Sequence, residues 1–184
     1  MNPHALLTVS GRDRPGIVAR TTQVLFEAGC NIADSSMTRL GCEFTVMLIV
    51  QLPSALTCAA LTERFGPLAA EMALTIQAQP VPTECVEVAP TTAPAQSATL
   101  CVMGADQPGI VFKTTQLLAE MGCNIIDLYT HRSGTAKRPV YSMVIDVELP
   151  DLPEFLPQLQ PRLAELEKQL EVEITLRLAD ASLM

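Results

Sequence analysis

The chain has 184 residues, enough for one medium domain or two small ones, and nearly half of it (48%) is hydrophobic. It holds no tryptophan and few aromatics, so any core must be built from Leu, Val, Ile, Ala and Met. A formal charge of −8 opposes direct contact with nucleic acid or anionic membranes unless one face is locally basic, and no run reaches the roughly 18 to 20 apolar residues of a membrane span.

The N-terminal stretch MNPHALLTVSGRDR lacks a basic start followed by a long apolar run, so no secretory signal is visible and a cytoplasmic location is expected. Residues 5–10 (ALLTVS) form a short strand-like run that ends in glycine. Next comes the loop GRDRPGIV, in which Asp13 is expected to cap a helix and Pro15 to occupy its first turn. Gly16 weakens a helix start by up to about 1 kcal/mol relative to alanine, so some group is expected to approach the backbone there. Free N–H groups at such a start make a seat for a carboxylate or other small anion. Ile17, Thr21, Val24 and Ala28, with Val18 and Leu25, recur at three-and-four spacing as one face of an amphipathic helix, which Gly29 ends in the left-handed conformation.

Asn31 and Ile32 follow, then a second extended run and the strand-like CEFTVMLIV, which suits a hairpin. Leu61, Phe65, Leu68 and Met72 mark a second helix that Gly66–Pro67 should break or kink, and ALTIQAQ reads as a last strand. The segment QPVPTECVEVAPTTAPAQSA is rich in Pro, Thr, Ala and Ser and predicts an extended, semi-stiff linker.

The same order then returns. Residues 98–103 (ATLCVM) match the first strand, and Gly104–Arg132 aligns with Gly11–Arg39 with identity at roughly 17 of 29 positions. The second helix-start loop is GADQPGIV, with Asp106, Pro108 and Gly109 in the equivalent places, and Ile110, Thr114, Leu117 and Met121, with Val111 and Leu118, repeat the apolar face before Gly122. About four extra residues around SGTAKRP place the length change in a surface hairpin, where Lys137 and Arg138 are candidates for touching a partner. Tyr141, Met143 and Ile145 alternate with Ser142, Val144 and Asp146, which gives that strand one less apolar side. Pro157 and Pro161 should confine the last helix mainly to Pro161–Leu170, ahead of a final strand VEITLRL. Each copy therefore reads βαββαβ, an α+β ferredoxin-like plan with both helices on one face of a four-stranded antiparallel sheet. The expected organisation is residues 1–82, a linker at 83–96, and residues 97–184.

No two of the six cysteines (Cys30, Cys42, Cys58, Cys85, Cys101, Cys123) are spaced as Cys-x-x-Cys, and His4 and His131 have no matching partner, so neither a metal site nor a cofactor is expected. Cys30 and Cys123 hold equivalent positions and read as small buried hydrophobes. Ser35 and Ser36 sit in no nucleophile-like turn, and no catalytic constellation is present.

Asp-x-Pro-Gly-Ile-Val, a helix of this length and Gly-Cys-Asn-Ile-x-Asp together resemble the ACT domain, a βαββαβ module that binds amino acids in many regulatory proteins. The resemblance covers both halves, and the layout is similar to the two-domain glycine cleavage repressor family. It implies a non-catalytic, homodimeric regulator that binds a small amino acid and acts on a transcription factor by protein contact, without touching nucleic acid or membrane. It also implies a ligand cleft lined by Arg12, Asp13, Arg14, Pro15, Gly16 and Ile17 with Asn31 and Ile32. The second copy would supply Ala105, Asp106, Gln107, Pro108, Gly109 and Ile110 with Asn124 and Ile125. Such clefts commonly form between two ACT units, so one set of residues can meet another subunit. The alternatives are a ligand-free oligomerisation platform and an allosteric subunit of a metabolic enzyme. For Asn31 and Asn124 a purely local role in the turn stands beside ligand contact. Arg12 and Arg14 make only the first loop basic, since Ala105 and Gln107 replace them in the second.

Overall fold

A computed structural model describes residues 3–82, 86, 96–135, 138–150 and 155–179. The chain divides into two compact units, Met1–Thr91 and Thr92–Met184. Most of the expected linker, Lys137 and the C-terminal residues after 179 lie outside the described residues.

In the first unit the elements are β1 (His4–Arg12), α1 (Ile17–Glu27), β2 (Asn31–Leu40), β3 (Glu43–Gln51), α2 (Cys58–Met72) and β4 (Thr75–Val81). In the second they are β5 (Gln96–Ala105), α3 (Ile110–Glu120), β6 (Asn124–Thr135), β7 (Arg138–Leu149), α4 (Phe155–Leu170) and β8 (Val172–Leu178). Each unit folds into one antiparallel sheet, ordered β2-β3-β1-β4 and β6-β7-β5-β8. The expected βαββαβ plan is thus realised twice.

Alternation sets the two faces of each sheet. Ala5, Leu7 and Val9 of β1 and Phe44, Val46, Leu48 and Val50 of β3 are buried with Leu25 of α1 and Leu61, Phe65 and Leu68 of α2 in one core. The second unit repeats this with Leu100, Val102, Met143, Ile145 and Val147 against Leu118, Leu159 and Leu163. Val18 (45% exposed) and Val111 (37%) fall outside the helix faces to which spacing assigned them. The edge strands β2 and β6 carry the same irregularity, a register shift between Ile32 and Asp34 and between Ile125 and Asp127. The pair Arg39↔Phe44 recurs as Arg132↔Tyr141, and the second hairpin continues beyond it through Thr135↔Arg138, where the first stops at Leu40↔Glu43.

The helix breaks expected at proline do not occur. α2 runs unbroken through Pro67, and α4 begins at Phe155, with only Pro161 in its interior. A proline removes one intrahelical bond and crowds the previous turn. Here the apolar stripes Leu61–Phe65–Leu68–Met72 and Phe155–Leu159–Leu163–Leu166–Leu170 are buried along their full length and outweigh that loss. Both first helices end as Gly29 and Gly122 predict. Cys30 N–H bonds Leu25 O at 2.9 Å and Gly29 N–H bonds Phe26 O at 3.0 Å, and Cys123 and Gly122 repeat the pattern on Leu118 and Ala119, which is the Schellman arrangement.

Candidate functional site

The β1–α1 loop leaves the sheet at Arg12, and Asp13 N–H bonds Cys42 O at 2.8 Å, tying it to the β2–β3 hairpin. Gly16 is the N-cap of α1, at φ 93° and ψ −10° in the left-handed region. A Cβ at Gly16 would meet no other part of the protein within 4 Å, so within the chain it is the left-handed backbone conformation that requires this glycine. Gly109 plays the same part at φ 98°. Pro15 and Pro108 consequently lie before the cap and not in the first helical turn.

The aspartates are not caps. Neither N-cap has a side-chain cap bond, and with the cap at Gly16, Asp13 stands three residues upstream of the position from which a side chain reaches the N2 or N3 amide. Its carboxylate instead meets Arg39 Nη1 at 3.5 Å, while Asp106 meets Arg132 Nε at 2.9 Å. Both pairs are largely exposed and hold the loop to strands β2 and β6 with at most about 1 kcal/mol. The first backbone bond inside α1 runs from Arg20 N–H to Gly16 O at 2.9 Å, and inside α3 from Lys113 N–H to Gly109 O at 2.9 Å. Ile17, Val18 and Ala19 thus start a helix whose amides have no intrahelical acceptor, the seat that sequence reasoning sought.

Arg14 does not simply supply a basic rim. Its Nη2 donates to Met72 O, the last carbonyl of α2, and Gln107 Nε2 donates to Leu170 O at the end of α4. Arg12 is exposed at the end of β1, where it pairs with Glu43.

An open depression of about 550 Å³ lies beside the first loop. Residues 13–19 line one side, and Met37, Arg39 and Phe44 of the hairpin line the other. These three were missed by local reading, although Arg39 and Arg132 occupy equivalent positions in the repeat. A separate hollow in the second unit, about 630 Å³, is formed by Met103, Gly104, Ala105 and Asp106 with Pro139, Val140 and Glu173, and of the residues equivalent to those lining the first it contains Asp106 alone. Asp13, Arg14 and Arg39 are the charged residues of the first depression, and at the equivalent places of the second unit stand Asp106, Gln107 and Arg132.

Asn31 and Ile32 are not brought to this site within the unit. Asn31 pairs with Gln51, which pairs with His4, at the sheet end opposite Arg12 and Glu43, so the two groups are separated by the length of β1, roughly 25 Å. The same holds for Asn124 and Ile125, and Asn124 Nδ2 donates to Glu148 Oε2 at 3.1 Å across the β6–β7 pair. Cys30 and Cys123 are partly buried and pack against the cores, and desolvation raises both thiol pKa values, which favours the protonated form. Among the described residues no group of His, Cys, Asp and Glu could hold a metal ion.

This geometry, twice over, matches a known family. Residues 4–79 and, separately, residues 99–164 match the ACT domain. The chain belongs to the ACT-domain family, with two such domains in tandem. The tandem ACT protein is similar to the glycine cleavage system transcriptional repressor of Escherichia coli (strain K12), at 43% identity over 47 residues. That stretch is 26% of this chain and spans only 25% of the repressor. A UPF0237 protein of Corynebacterium glutamicum is 37% identical over 76 residues, 41% of this chain and 85% of that protein. Among solved structures, one assigned provisionally as a glycine cleavage system transcriptional repressor superposes with a TM-score of 0.66 at 22% identity, covering 97% of this chain and 98% of its own, which is a likeness of fold. No helix among the described residues is long and apolar enough to cross a membrane.

Proposed function

We propose that this tandem ACT protein is a non-catalytic cytoplasmic regulator that binds a small amino acid, glycine or one of similar size, and modulates a transcription factor by protein contact. The observation that carries this reading is the depression at Gly16. An uncapped helix start, with Arg14 and Arg39 beside it, presents N–H groups and positive charge to a carboxylate in a space that admits a small zwitterion. Similarity to a glycine cleavage repressor supports the transcriptional output, and the net negative charge favours a protein target over DNA.

The separation of Asn31 from the loop supports a homodimeric site. Strand β2 is exposed along its whole length and is an edge of its sheet. Antiparallel pairing of β2 with its counterpart in a second copy would set Asn31 and Ile32 of one chain against the Arg39 end of the other, completing the residue set.

Melting the full chain with and without glycine, serine and larger amino acids tests the reading, because a ligand specific for the folded state adds about 2.7 kcal/mol at a hundred times its dissociation constant. A concentration-dependent rise with a small amino acid is expected. Absence of a rise with any amino acid would favour the exposed β2 edge as a ligand-free assembly platform.

A further inference from the structure

The β1–α1 loop and the turn after α2 are built as one joint. At that turn Ala73 takes a left-handed conformation (φ 48°), as does Glu171 after α4 (φ 49°), both unusual for residues with a Cβ. Ala73 N–H and Leu74 N–H both bond Ala69 O. Two contacts from the loop side hold the turn. Gly11 passes so close that a Cβ there would lie 2.8 Å from Leu74 Cδ2 and 3.3 Å from Ala73 O, and Arg14 donates to Met72 O immediately before the turn. The second unit has the same joint, with Gly104 against Val172 and Gln107 on Leu170 O.

A cation bonded to the final carbonyls of a helix satisfies acceptors that have no intrahelical donor and meets the negative end of the helix dipole. The neutral Gln107 supplies the bond without the charge. A guanidinium binds a carboxylate through two parallel charge-assisted bonds, a stronger arrangement than its single bond to a carbonyl, whereas a primary amide has no such preference. Arg14 lines the first depression.

We propose that Arg14 is an anion-competed latch. In the free protein it caps α2 and fixes the Ala73 turn. A carboxylate entering the depression draws the guanidinium off Met72 O and loosens the α2–β4 junction, so occupancy at the loop is relayed to the start of β4. Gln107 is the permanent version of the same latch, and the second unit does not respond. The latch itself is independent of the proposed amino-acid function, but its competition with a carboxylate rests on it.

Amide hydrogen exchange on the full chain separates the two. Without ligand, R14A is expected to speed exchange at Ala73 and Leu74 about tenfold, the size expected for losing one hydrogen bond to a charged group. R14Q should stay close to the parent, and Q107A should act on Glu171 and Val172 alone. Unchanged Ala73 and Leu74 rates in R14A would overturn the latch, and R14K, which keeps the charge but has a shorter reach, replaces it should R14A fail to fold. With saturating glycine the parent should exchange faster at Ala73 and Leu74 but not at Glu171 and Val172. R14Q should abolish that response and Q107R should install it in the second unit. Acetate at equal ionic strength shows whether the carboxylate alone suffices, and the competition stands either way. Glycine that protects residues 12–19 while leaving Ala73 and Leu74 unchanged overturns the competition. Glycine without effect on any amide overturns the amino-acid function and the competition with it, while the latch is still judged by the ligand-free variants.

Discussion

Arg14 and Gln107 stand at the same place in two near-copies of one loop, and each reaches the last carbonyl of a helix more than fifty residues away. What the two share is a side chain of sufficient length ending in an N–H donor. What they do not share is charge. The comparison separates two properties that a single copy would confound: the fold needs the reach and the donor, while the charge is free to serve something else. The acid–base pair around the two loops is the same, Arg39 with Asp13 and Arg132 with Asp106, so the charge difference lies in Arg14 and Arg12 against Gln107 and Ala105. One architecture thus carries two electrostatic characters.

The largest test asks whether the units are independent enough to be compared. Phe65 and Leu163 hold equivalent core positions, 0% and 6% exposed. Phe65→Ala should destabilise by about 3 to 5 kcal/mol and Leu163→Ala by about 2 to 5 kcal/mol in urea unfolding. Amide exchange should show only the mutated unit's sheet loosening. If both sheets loosen equally, the molecule is one cooperative block and the loops cannot be treated as separate devices.

A smaller effect probes the two joints. A Cβ at Gly104 would lie 2.6 Å from Val172 Cγ1 and 3.1 Å from its Cα, whereas at Gly11 the closest atom is the mobile end of Leu74 at 2.8 Å. Gly104→Ala is expected to destabilise by about 1 to 3 kcal/mol through its clash with a β-branched side chain and backbone, and Gly11→Ala by a similar amount through its φ of 158° as well as its contacts. A Gly104→Ala protein that melts with the parent would show that Val172 yields and that the second joint is not tight.

The smallest effect is electrostatic and confined to the first unit. Arg20 and Glu71 bridge α1 and α2 there, while Lys113 and Gln169 take those positions in the second unit, whose helices are bridged elsewhere by Arg162 and Glu120. The hydrogen bond from Arg20 holds the Glu71 carboxyl below the ordinary carboxylate range. A depressed folded pKa gives stability that is present above the unfolded value, about 4.3, and is lost as pH falls through the folded value. Mild acid should therefore weaken the parent relative to Glu71→Gln, with the two curves converging once Glu71 is protonated. A difference that persists unchanged below that range would remove the ion pair as its cause.

Much of this was legible in the residues themselves. Internal identity located the two units, alternation in VYSMVIDVEL placed Met143 and Ile145 in the core, and Gly29 and Gly122 marked helix ends, because each signal is local and periodic. The loop misled for the opposite reason. Asp-x-Pro-Gly imitates a capped helix start, and only the left-handed Gly16 moves the cap downstream and frees Asp13 for Arg39, 26 residues away. The bond from Arg14 to Met72 O was not legible, since nothing near Arg14 in the chain names that acceptor. The prolines of α2 and α4 were read by their intrinsic cost, without the buried stripes that override it.

The longer β6–β7 hairpin carries a lesson about how one copy could change length without unravelling. Between Arg39 and Phe44 lie four residues, and between Arg132 and Tyr141 lie eight, so each strand gained two. Two is the period of a strand, and Met143 and Ile145 kept their inward parity. An insertion shared unevenly by a single residue would have exchanged the two faces of β7 for their opposites. Insertions tolerated at this tip should therefore come in matched pairs, and the hairpin serves the duplicated gene as a ruler graduated in whole rungs.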